Sequence, residues 1–374
     1  MIIGGRVAGN TTAYYAARAG LRVLVLDNAT VIGRRVQCGE FVPDADENFP
    51  AYRKRYDEVP IPKEMSHQRT EWIRIWSPAG RSFTFPFGGY TIDRDAFDQH
   101  LACLARAHGA TYQLATTVHA FSGNEVITLR QRFVARVIVV ASGPTSRVPR
   151  MAGFVPPTKL NQAVFCVARG SFYGDVIDVY FGDCAPGGYA WVIPKNGDAN
   201  IGLGLPHFYT GNDIRGLLNR FLARFPEATP LYFSGGNIPL GGMVRPLVRG
   251  RRVAVGDAAG MVMASNGGGI LPAMITGQLA GLAIADHLQH GRPLTDYERR
   301  VDEVIGTPMA IATRRKLIFD FAWRHALGRR MVFEAFFRLG GAQLIEKAIR
   351  ISPLFEAKRA FLPERLTAYV NARL

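Results

Sequence analysis

The fold of this chain is decided by MIIGGRVAGN, residues 1–10, and by LRVLVLD, residues 21–27. Together they predict a short strand, a tight glycine turn, a helix and a second strand that ends in Asp27. Glycines in such a turn let backbone N–H groups approach a pyrophosphate at the helix N-terminus, and the acid suits the ribose hydroxyls of an adenine dinucleotide. Arg6 occupies the place of the middle glycine in the usual Gly-x-Gly-x-x-Gly. Taken alone, the stretch is therefore equally consistent with a turn that binds no ligand.

Length and composition bound the class of protein. The 374 residues suffice for two interwoven domains, and 48% hydrophobic residues with 40 glycines are typical of a globular α/β enzyme. The four cysteines form no Cys-x-x-Cys pair, which argues against zinc and iron–sulfur sites. We therefore expect an enzyme of a reducing cytoplasm without a metal site. The cysteines are Cys38, Cys103, Cys166 and Cys184.

The net charge of +15 favours anionic partners. Zinc-finger spacing and dense Lys and Arg runs between aromatic residues are absent, so we expect no nucleic acid, and anionic lipid is the better candidate. No apolar run approaches the roughly 18 residues that span a bilayer, and the N-terminus lacks the pattern of a secretory signal. We expect a cytoplasmic monomer, with peripheral binding to the inner face of a membrane as a further hypothesis.

The C-terminal part is basic, with 13 Lys and Arg against 7 Asp and Glu in residues 301–374. Apolar and basic residues alternate there. The alternation fits either packed helices with solvated basic faces or a helix that lies on a membrane surface. The apolar members are Leu317, Phe321, Met331, Phe336 and Phe337, and the basic ones are Arg314, Arg315, Arg324, Arg329 and Arg330.

Alternation and turn signals divide the middle of the chain. They predict a hairpin across residues 71–87, a helix across 93–109, and strands at 110–118 and 133–140. The β-rich residues 151–250 predict a separate sheet, inserted before the first domain is completed. We assign 1–70, 90–150 and 251–290 to a Rossmann-like domain, 71–89 and 151–250 to an interleaved antiparallel-sheet substrate domain, and 291–374 to a C-terminal helical region.

Three separated segments carry a resemblance to one family. They are VQCGE at residues 36–40, APGGYAWVIPK at 185–195 with NIGLG at 200–204, and GDAA at 256–259 with GGGI at 267–270. Together they resemble the FAD-dependent geranylgeranyl reductase family, within the flavoproteins of the para-hydroxybenzoate hydroxylase fold. The likeness extends to about residue 290. Ser142 departs from it, because the family's Ala-Asp-Gly motif has Asp there.

The resemblance implies FAD as the cofactor and assigns its binding residues. The ADP end would lie on the opening turn, with the Arg6 side chain near the pyrophosphate and the backbone of Val118 at the adenine. Asp257 would accept a hydrogen bond from the ribityl chain. The helix that begins at Ile270 would face the flavin, where its dipole stabilises the charge of the reduced ring. The implied cofactor-binding residues are Gly4, Gly5, Arg6, Ala8, Gly9, Asp27, Cys38, Gly39, Arg94, Val118, Gly256, Asp257, Gly267, Gly268, Gly269 and Ile270.

The implied reaction is saturation of isolated C=C bonds in the polyprenyl chain of a lipid, by hydride from reduced flavin and a proton at the other carbon. Tyr189 and Trp191 would line a dry tunnel for the alkene. Cys38, Glu40 through a water, and the flavin itself are open as proton sources. The substrate head group is open too, and the electron donor is either ferredoxin or NAD(P)H. The alternatives are a monooxygenase of the same fold and a degenerate flavin- or lipid-binding protein without turnover.

Overall fold

The computed structural model describes residues 1–48, 65–209 and 213–325, and the positions 334, 335, 337–341, 343 and 346. Its helices are α1 Val7–Arg18, α2 Ala45–Asn48, α3 Arg94–Ala107, α4 Val148–Met151, α5 Ile214–Leu222, α6 Ile270–His290, α7 Asp296–Val301 and α8 Thr307–His325. Short 3-10 turns cover His207–Tyr209 and Gly256–Ala259, and π-helical turns cover Asp302–Gly306 and Phe337–Gly341.

The strands are β1 Ile2–Ile3, β2 Leu24–Leu26, β3 Phe41–Pro43, β4 Ser66–Trp76, β5 Ser82–Ile92, β6 Thr111–Gln113, β7 Val118–Ser122, β8 Glu125–Thr128, β9 Arg132–Val134, β10 Ile138–Val140, β11 Leu160–Phe172, β12 Val176–Tyr180, β13 Tyr189–Lys195, β14 Gly197–Leu205, β15 Thr229–Pro239, β16 Val248–Arg249 and β17 Arg252–Ala254.

The opening turn lies at the centre of a Rossmann-like sheet. Over the described ranges the strand order is β16-β17-β10-β1-β2-β6, and every neighbouring pair is parallel except β16 with β17. The chain leaves β1 towards β2 and later returns on the other side of β1 with β10, so the direction of winding reverses between β1 and β10. Open α/β sheets bind ligands at such a reversal, beyond the carboxyl ends of the strands. The glycine turn after β1 is at that position.

A second, mostly antiparallel sheet has the order β15-β11-β14-β13-β12-β4-β5-β3. Its two faces are buried differently. One face packs against Leu218 and Phe221 of α5. The other face presents Trp191 and Ile193 together with Phe85 and, from α8, Trp323. This second face meets the carboxyl end of the Rossmann-like sheet through the 36–40 loop, because Val36 packs against the same cluster.

Two predicted strands are wrong in extent. The 110–118 segment divides into β6 and the start of β7, because the chain turns where Ala115 takes a positive φ of 48° and its N–H donates to Ala29 O. The 133–140 segment divides into β9 and β10. In both cases the two parts join different sheets, since β7, β8 and β9 form a small sheet of their own. Apolar alternation does not reveal that a strand changes sheets.

The predicted hairpin is confirmed and is longer than expected. β4 begins at Ser66 and β5 ends at Ile92, and β3 adds a further strand to their sheet. β16 falls inside the predicted 151–250 segment but pairs in the Rossmann-like sheet. β4 thus crosses the predicted limit at 70 and β5 the limit at 89. The division into domains stays a prediction. Residues 49–64 of the first segment lie outside the described residues.

Close packing of α1 on α6 positions the turn. A Cβ on Gly277 would lie 2.7 Å from Ala8 O, and one on Gly281 would lie 2.8 Å from Tyr15 Cβ, so glycine at both positions lets the helices touch. The C-terminal region is helical through α7 and α8. Its predicted basic and apolar residues Arg329, Arg330, Met331 and Phe336 fall outside the described residues. None of the helices in the described part of the chain is long and apolar enough to cross a membrane.

Candidate functional site

The glycine turn after β1 is built so that only glycine fits. Gly4 has a φ of +107°, and a Cβ on Gly9 would lie 1.8 Å from Gly4 O, so α1 starts directly against β1. The N–H of Gly5 donates to Asp27 Oδ2 at 2.6 Å. The predicted acid is therefore beside the predicted turn. Ala8 continues the contact, because a Cβ on Gly256 would lie 2.7 Å from its methyl group.

Arg6 is the residue before α1, and its side chain leaves the helix end open. The Arg6 side chain makes no capping hydrogen bond to this N-terminus. The first N–H groups of a helix have no intrahelical acceptor and attract anions. The Arg6 guanidinium instead donates to Arg34 O at 2.7 Å and to Arg35 O at 3.0 Å. It ties the 28–40 loop to the glycine turn, and its predicted place beside a pyrophosphate stays a hypothesis.

Asp257 lies at the N-terminus of α6. A Cβ on Gly269, the residue before that helix, would lie 3.4 Å from Asp257 Oδ1. Burial raises the pKa of the Asp257 carboxyl to about 6, although Arg94 and Arg6 act in the opposite direction. A partly buried carboxylate near the N-terminus of a helix is suited to accept hydrogen bonds from a hydroxylated ligand.

Arg94 links this carboxylate to the 36–40 loop. Its guanidinium donates to both oxygens of Asp98, at 3.3 and 3.2 Å. Burial lowers the pKa of Arg94, but Asp98 and the Cys38 thiol outweigh it and the net shift is upward. Burial raises the pKa of Asp98, which Arg94 and Arg6 oppose. Three anionic or potentially anionic groups thus surround one buried guanidinium.

Val118 is buried at the start of β7, near the loop that follows Asp27. The connection runs through the backbone, since Thr116 N–H donates to Asp27 O at 2.8 Å. The structure therefore brings the predicted adenine-side residue close to the ribose-side acid, although 91 positions separate them in the sequence.

The second sheet and α6 enclose an apolar cavity of about 380 Å³. This volume is in the range of small-molecule sites. The cavity wall includes the whole predicted catalytic set and most of the predicted flavin-side residues. They are Cys38, Gly39, Glu40, Tyr189, Trp191, Gly267, Gly268, Gly269 and Ile270.

Tyr189 and Trp191 project from the same face of β13, as their alternate positions predict. Their ring centroids are 6.0 Å apart. Tyr189 donates its hydroxyl to Asn266 O at 2.5 Å, and Trp191 Nε1 donates to Asn200 Oδ1 at 2.9 Å. Burial raises the pKa of Tyr189 to about 12. With their polar atoms bonded in this way, both side chains present apolar surface to the cavity.

The 38–40 loop is held against β13 by a cluster of charged residues that the sequence did not reveal. Glu40 has a positive φ of 63° and is almost completely buried. Its carboxylate accepts hydrogen bonds from Lys195 Nζ at 2.8 Å, from Asn200 Nδ2 at 3.4 Å and from the backbone N–H of Arg94 at 3.2 Å. Lys195 also donates to Asp93 at 2.9 Å. A carboxylate with three donors favours a positioning role for Glu40 over that of a proton source.

The same loop fixes the cysteine. Cys38 Sγ accepts the Glu40 N–H at 3.1 Å, and Cys38 O accepts from Asn200 Nδ2 at 3.0 Å. Gly39 lets the loop approach β13 closely, since a Cβ on this residue would lie 3.2 Å from Ile193 Cδ1. Asn200 and Ile193 come from positions more than 150 residues away. Lys195 and Asn200 lie inside the quoted motifs, yet nothing in their spacing indicates which carboxylate they bind.

Helix α8 contributes Arg315, Lys316 and Phe319 to the cavity wall. These residues were missed as site residues. Arg315 and Leu317 belong to the alternating segment that fits either packed helices with solvated basic faces or a helix on a membrane surface. Leu317 is buried, with 5% of its surface exposed, and Arg315 lines the cavity. The periodicity of α8 identifies its faces, but it does not tell which face a cavity adjoins.

The residues present fit the FAD that the resemblance implies. Ser142 follows β10 at the reversal point, and its Oγ is buried without a hydrogen-bond partner among the described residues. The same holds for Arg94 Nε and for Ser265 Oγ, and Ser265 lines the cavity. Buried polar atoms normally have a partner. These atoms lie along the path from the glycine turn to the cavity, where a dinucleotide would supply partners.

Comparison with known proteins gives matches to the N-terminal part of the Rossmann-like sheet and to the second sheet. The family model "NAD(P)-binding Rossmann-like domain" matches residues 2–53, and "Geranylgeranyl reductase catalytic domain" matches residues 164–236. A curated relative, digeranylgeranylglycerophospholipid reductase 1 of Methanothermobacter thermautotrophicus, is 30% identical over 384 aligned positions. The alignment covers 94% of this chain and 95% of that protein.

Solved structures share the fold. A geranylgeranyl bacteriochlorophyll reductase-like protein from Thermoplasma acidophilum superposes with a TM-score of 0.78 at 23% identity, covering 93% of this chain and 90% of its own. The halogenase PltM, solved as a variant in complex with FAD, gives a TM-score of 0.66 at 17% identity, covering 86% and 75%. At these identities the likeness establishes the architecture.

Proposed function

Because the chain belongs to the geranylgeranyl reductase family, with digeranylgeranylglycerophospholipid reductases among its relatives, we propose that it saturates the isolated C=C bonds of geranylgeranyl chains in lipids. The cofactor is FAD. The observation that carries the proposal is the junction of the dinucleotide path with the apolar cavity, where Cys38, Tyr189 and Trp191 lie beside the N-terminus of α6.

When bound in its reduced form, FAD would supply a hydride to one carbon of the double bond. The chain's own residues hold the cofactor and the alkene. The glycine turn, the open end of α1 and Asp27 would hold the ADP half, and Asp257 would hold the ribityl chain. The N-terminus of α6 would face the ring, where its partial positive charge favours negative charge on a neighbouring group. The apolar wall orients the prenyl chain and excludes water.

The second carbon needs a proton, and Cys38 is the side chain best placed to give it. Its sulfur lies in the cavity wall beside the Arg94 guanidinium. That positive charge stabilises the negative charge left on sulfur after the proton is transferred. Glu40 would act by holding the loop, through its bonds to Lys195 and the Arg94 N–H. Tyr189 and Trp191 would set the position of the alkene.

The remaining partners belong to this proposal. Either ferredoxin or NAD(P)H supplies the reducing equivalents, and the net charge of +15 supports attraction to an acidic electron-transfer protein. The same charge supports peripheral binding to an anionic membrane face, from which a lipid substrate would enter. We propose a cytoplasmic monomer.

The test is anaerobic turnover. The FAD-loaded protein, reduced with dithionite, is incubated with a digeranylgeranylglycerophospholipid, and the lipid is analysed by mass spectrometry. We expect a gain of two hydrogen atoms for each saturated bond. A reduced flavin with unchanged lipid would contradict the proposal.

Two further outcomes distinguish the alternatives. Oxygen-dependent incorporation of a hydroxyl group into an aromatic substrate would favour a monooxygenase of the same fold. A colourless protein that gains no flavin absorbance when FAD is added would favour a degenerate protein without turnover. The fold alone does not select among these chemistries.

A further inference from the structure

The apolar cavity has a cationic segment in its wall. Arg315 and Lys316 of α8 line it next to Phe319, whereas most of the remaining wall is apolar or glycine. Arg314, the preceding residue, is exposed and is not part of the wall. Two adjacent cations that face an apolar cavity form an arrangement for a ligand with a long apolar part and an anionic group.

Further positive charge surrounds this segment. Lys316 forms an ion pair with Asp320, and both side chains are largely buried, at 12% and 4% exposed. Lys159, on the loop before β11, is close enough to interact with both of them. Burial lowers the pKa of Arg315 and that of Lys316. Burial thus disfavours the charged forms of both side chains, and an anionic ligand in the cavity would favour them.

The pKa of His207 is sensitive to the positive charges around it. Burial lowers the pKa of its imidazole, and Lys159, Lys316 and Arg324 lower it further. Its Nδ1 is buried and has no hydrogen-bond partner among the described residues. The backbone N–H of His207 donates to Asn161 Oδ1 at 3.2 Å, and Asn161 itself lines the cavity. The neighbourhood therefore combines a net positive field with a buried ring nitrogen free to bond.

We propose that Arg315 and Lys316 bind the phosphate of a prenyl lipid whose apolar chain fills the cavity, and that the positive charge of Lys159 adds to their attraction for it. The inference rests on the proposed function and assigns the head-group end of the substrate. Phosphate accepts charge-assisted hydrogen bonds from several cations at once, and Arg binds it through two parallel donors. The phosphate has two sources, the head group of a glycerophospholipid and the diphosphate of a free prenyl alcohol ester.

The test measures binding without turnover. Phytanyl phosphate and phytanol share a saturated prenyl chain and differ in the anion, and each is titrated into the FAD-loaded protein by calorimetry. We expect wild type to bind the phosphate at least about tenfold more tightly than the alcohol. Arg315→Gln should weaken phosphate binding by about tenfold and leave phytanol binding unchanged.

Two variants control for folding and for general charge. Lys159→Gln should reproduce the selective loss without touching α8. Arg314→Gln removes the same charge from the adjacent, exposed position and should bind both ligands as wild type does. Equal losses for phosphate and alcohol in Arg315→Gln, or wild-type binding in both Arg315→Gln and Lys159→Gln, would overturn the subsite.

The source of the phosphate is decided by competition. Displacement of phytanyl phosphate by a saturated diphytanylglycerophospholipid indicates the lipid head group, and preferential displacement by phytanyl diphosphate indicates the free ester. Failure of both to compete would overturn the proposal. A protein that binds phosphate through Arg315 but reduces no alkene would refute the proposed function alone. Turnover of geranylgeranyl lipids with unaltered binding in both Arg315→Gln and Lys159→Gln would refute the subsite alone.

Discussion

Replacing Lys195 by Met is expected to destabilise the protein and to release the 38–40 loop. Lys195 joins Glu40 and Asp93, with Nζ at 2.8 and 2.9 Å from their oxygens. Methionine keeps most of the side-chain volume and removes the charge. The substitution therefore tests what the buried cation contributes, with little change in packing.

The magnitude follows from burial. The Lys195 side chain is 6% exposed and that of Glu40 is 2% exposed, so the variant leaves a carboxylate stranded in the interior. Removing one partner of a buried ion pair costs about 3–5 kcal/mol. Glu40 keeps the donors Asn200 and the Arg94 N–H, and Asp93 stays hydrated because it is 46% exposed. We therefore expect a loss in unfolding free energy near the lower limit, about 3 kcal/mol.

Arg169→Met is the matched control. Arg169 and Asp198 form an ion pair at 3.6 Å, but their side chains are 72% and 33% exposed. A pair of this kind contributes about 0–1 kcal/mol. Urea unfolding of the FAD-saturated proteins, followed by tryptophan fluorescence, measures both losses on one scale. The double variant Lys195→Met with Glu40→Gln should be more stable than Lys195→Met, since it removes the stranded charge.

The difference between wild type and Lys195→Met has a defined pH window. Burial lowers the pKa of Lys195, but Glu40 and Asp93 outweigh it, and the pKa lies above 10.5. Burial raises the pKa of Asp93, but Lys195 and His67 outweigh it, and the pKa lies below 3.8. A raised lysine pKa stabilises fully below its ordinary value, and a lowered aspartate pKa stabilises fully above its own.

The stability difference should accordingly stay constant through neutral pH. It should shrink as the pH rises past 10.5 and as the pH falls below 3.8. Losses that are equal in Lys195→Met and Arg169→Met would refute the reasoning. A double variant less stable than Lys195→Met would refute it too.

Three other substitutions test the cavity and the cofactor path. In Gly202→Ala the new methyl group would lie 2.3 Å from Trp191 Cζ2, whereas in Gly204→Ala its nearest neighbour is 3.7 Å away. Melting curves should show a loss in unfolding free energy of about 1–3 kcal/mol in the first variant only. Equal stability of the two variants would contradict this. Because burial raises the pKa of Asp257 from 3.8 to about 6, its carboxylate destabilises the FAD-free protein above that pH, and wild type should gain stability as the pH falls from 6 towards 3.8. Asp257→Asn should stabilise the FAD-free protein at pH 7.5 by about 2–3 kcal/mol while weakening FAD retention measured by absorbance, and a destabilised FAD-free variant would refute the assignment. Cys38→Ala should keep FAD and lower anaerobic alkene reduction by about 10²-fold or more, and undiminished turnover would remove the thiol from the mechanism.

Local sequence pattern identified the elements whose strand, turn and helix residues all lie within one short stretch. The turn, helix and strand of residues 1–27 are an example, and so is the hairpin of β4 and β5. Tyr189 and Trp191 share a face because a strand has a period of two residues. The strands at 110–118 and 133–140 were wrong in extent because a continuous apolar pattern does not show where the chain moves from one sheet to another.

The site residues divide in the same way. Gly4 and Gly9 could be selected from spacing, since close backbone approach allows only glycine there. Asp27 could be selected because it is the acid that ends the second strand. The ion pair of Glu40 with Lys195 could not, because it joins positions 155 residues apart whose register depends on β13 and the loop packing together. Arg315 was assigned to a surface, since the period of α8 shows an amphipathic face but not what lies against it.

By itself the sequence determined the dinucleotide turn, the strand-borne aromatic pair and the family, because each depends on residue types at fixed short spacing. The tertiary structure decided what these parts enclose. It brought the turn, Asp257 and β13 around one cavity, buried Lys195 against Glu40, and directed Arg315 into the wall. These contacts join residues far apart in the chain, and the free energy that selects them comes from packing and from satisfying buried charge, which no local pattern records.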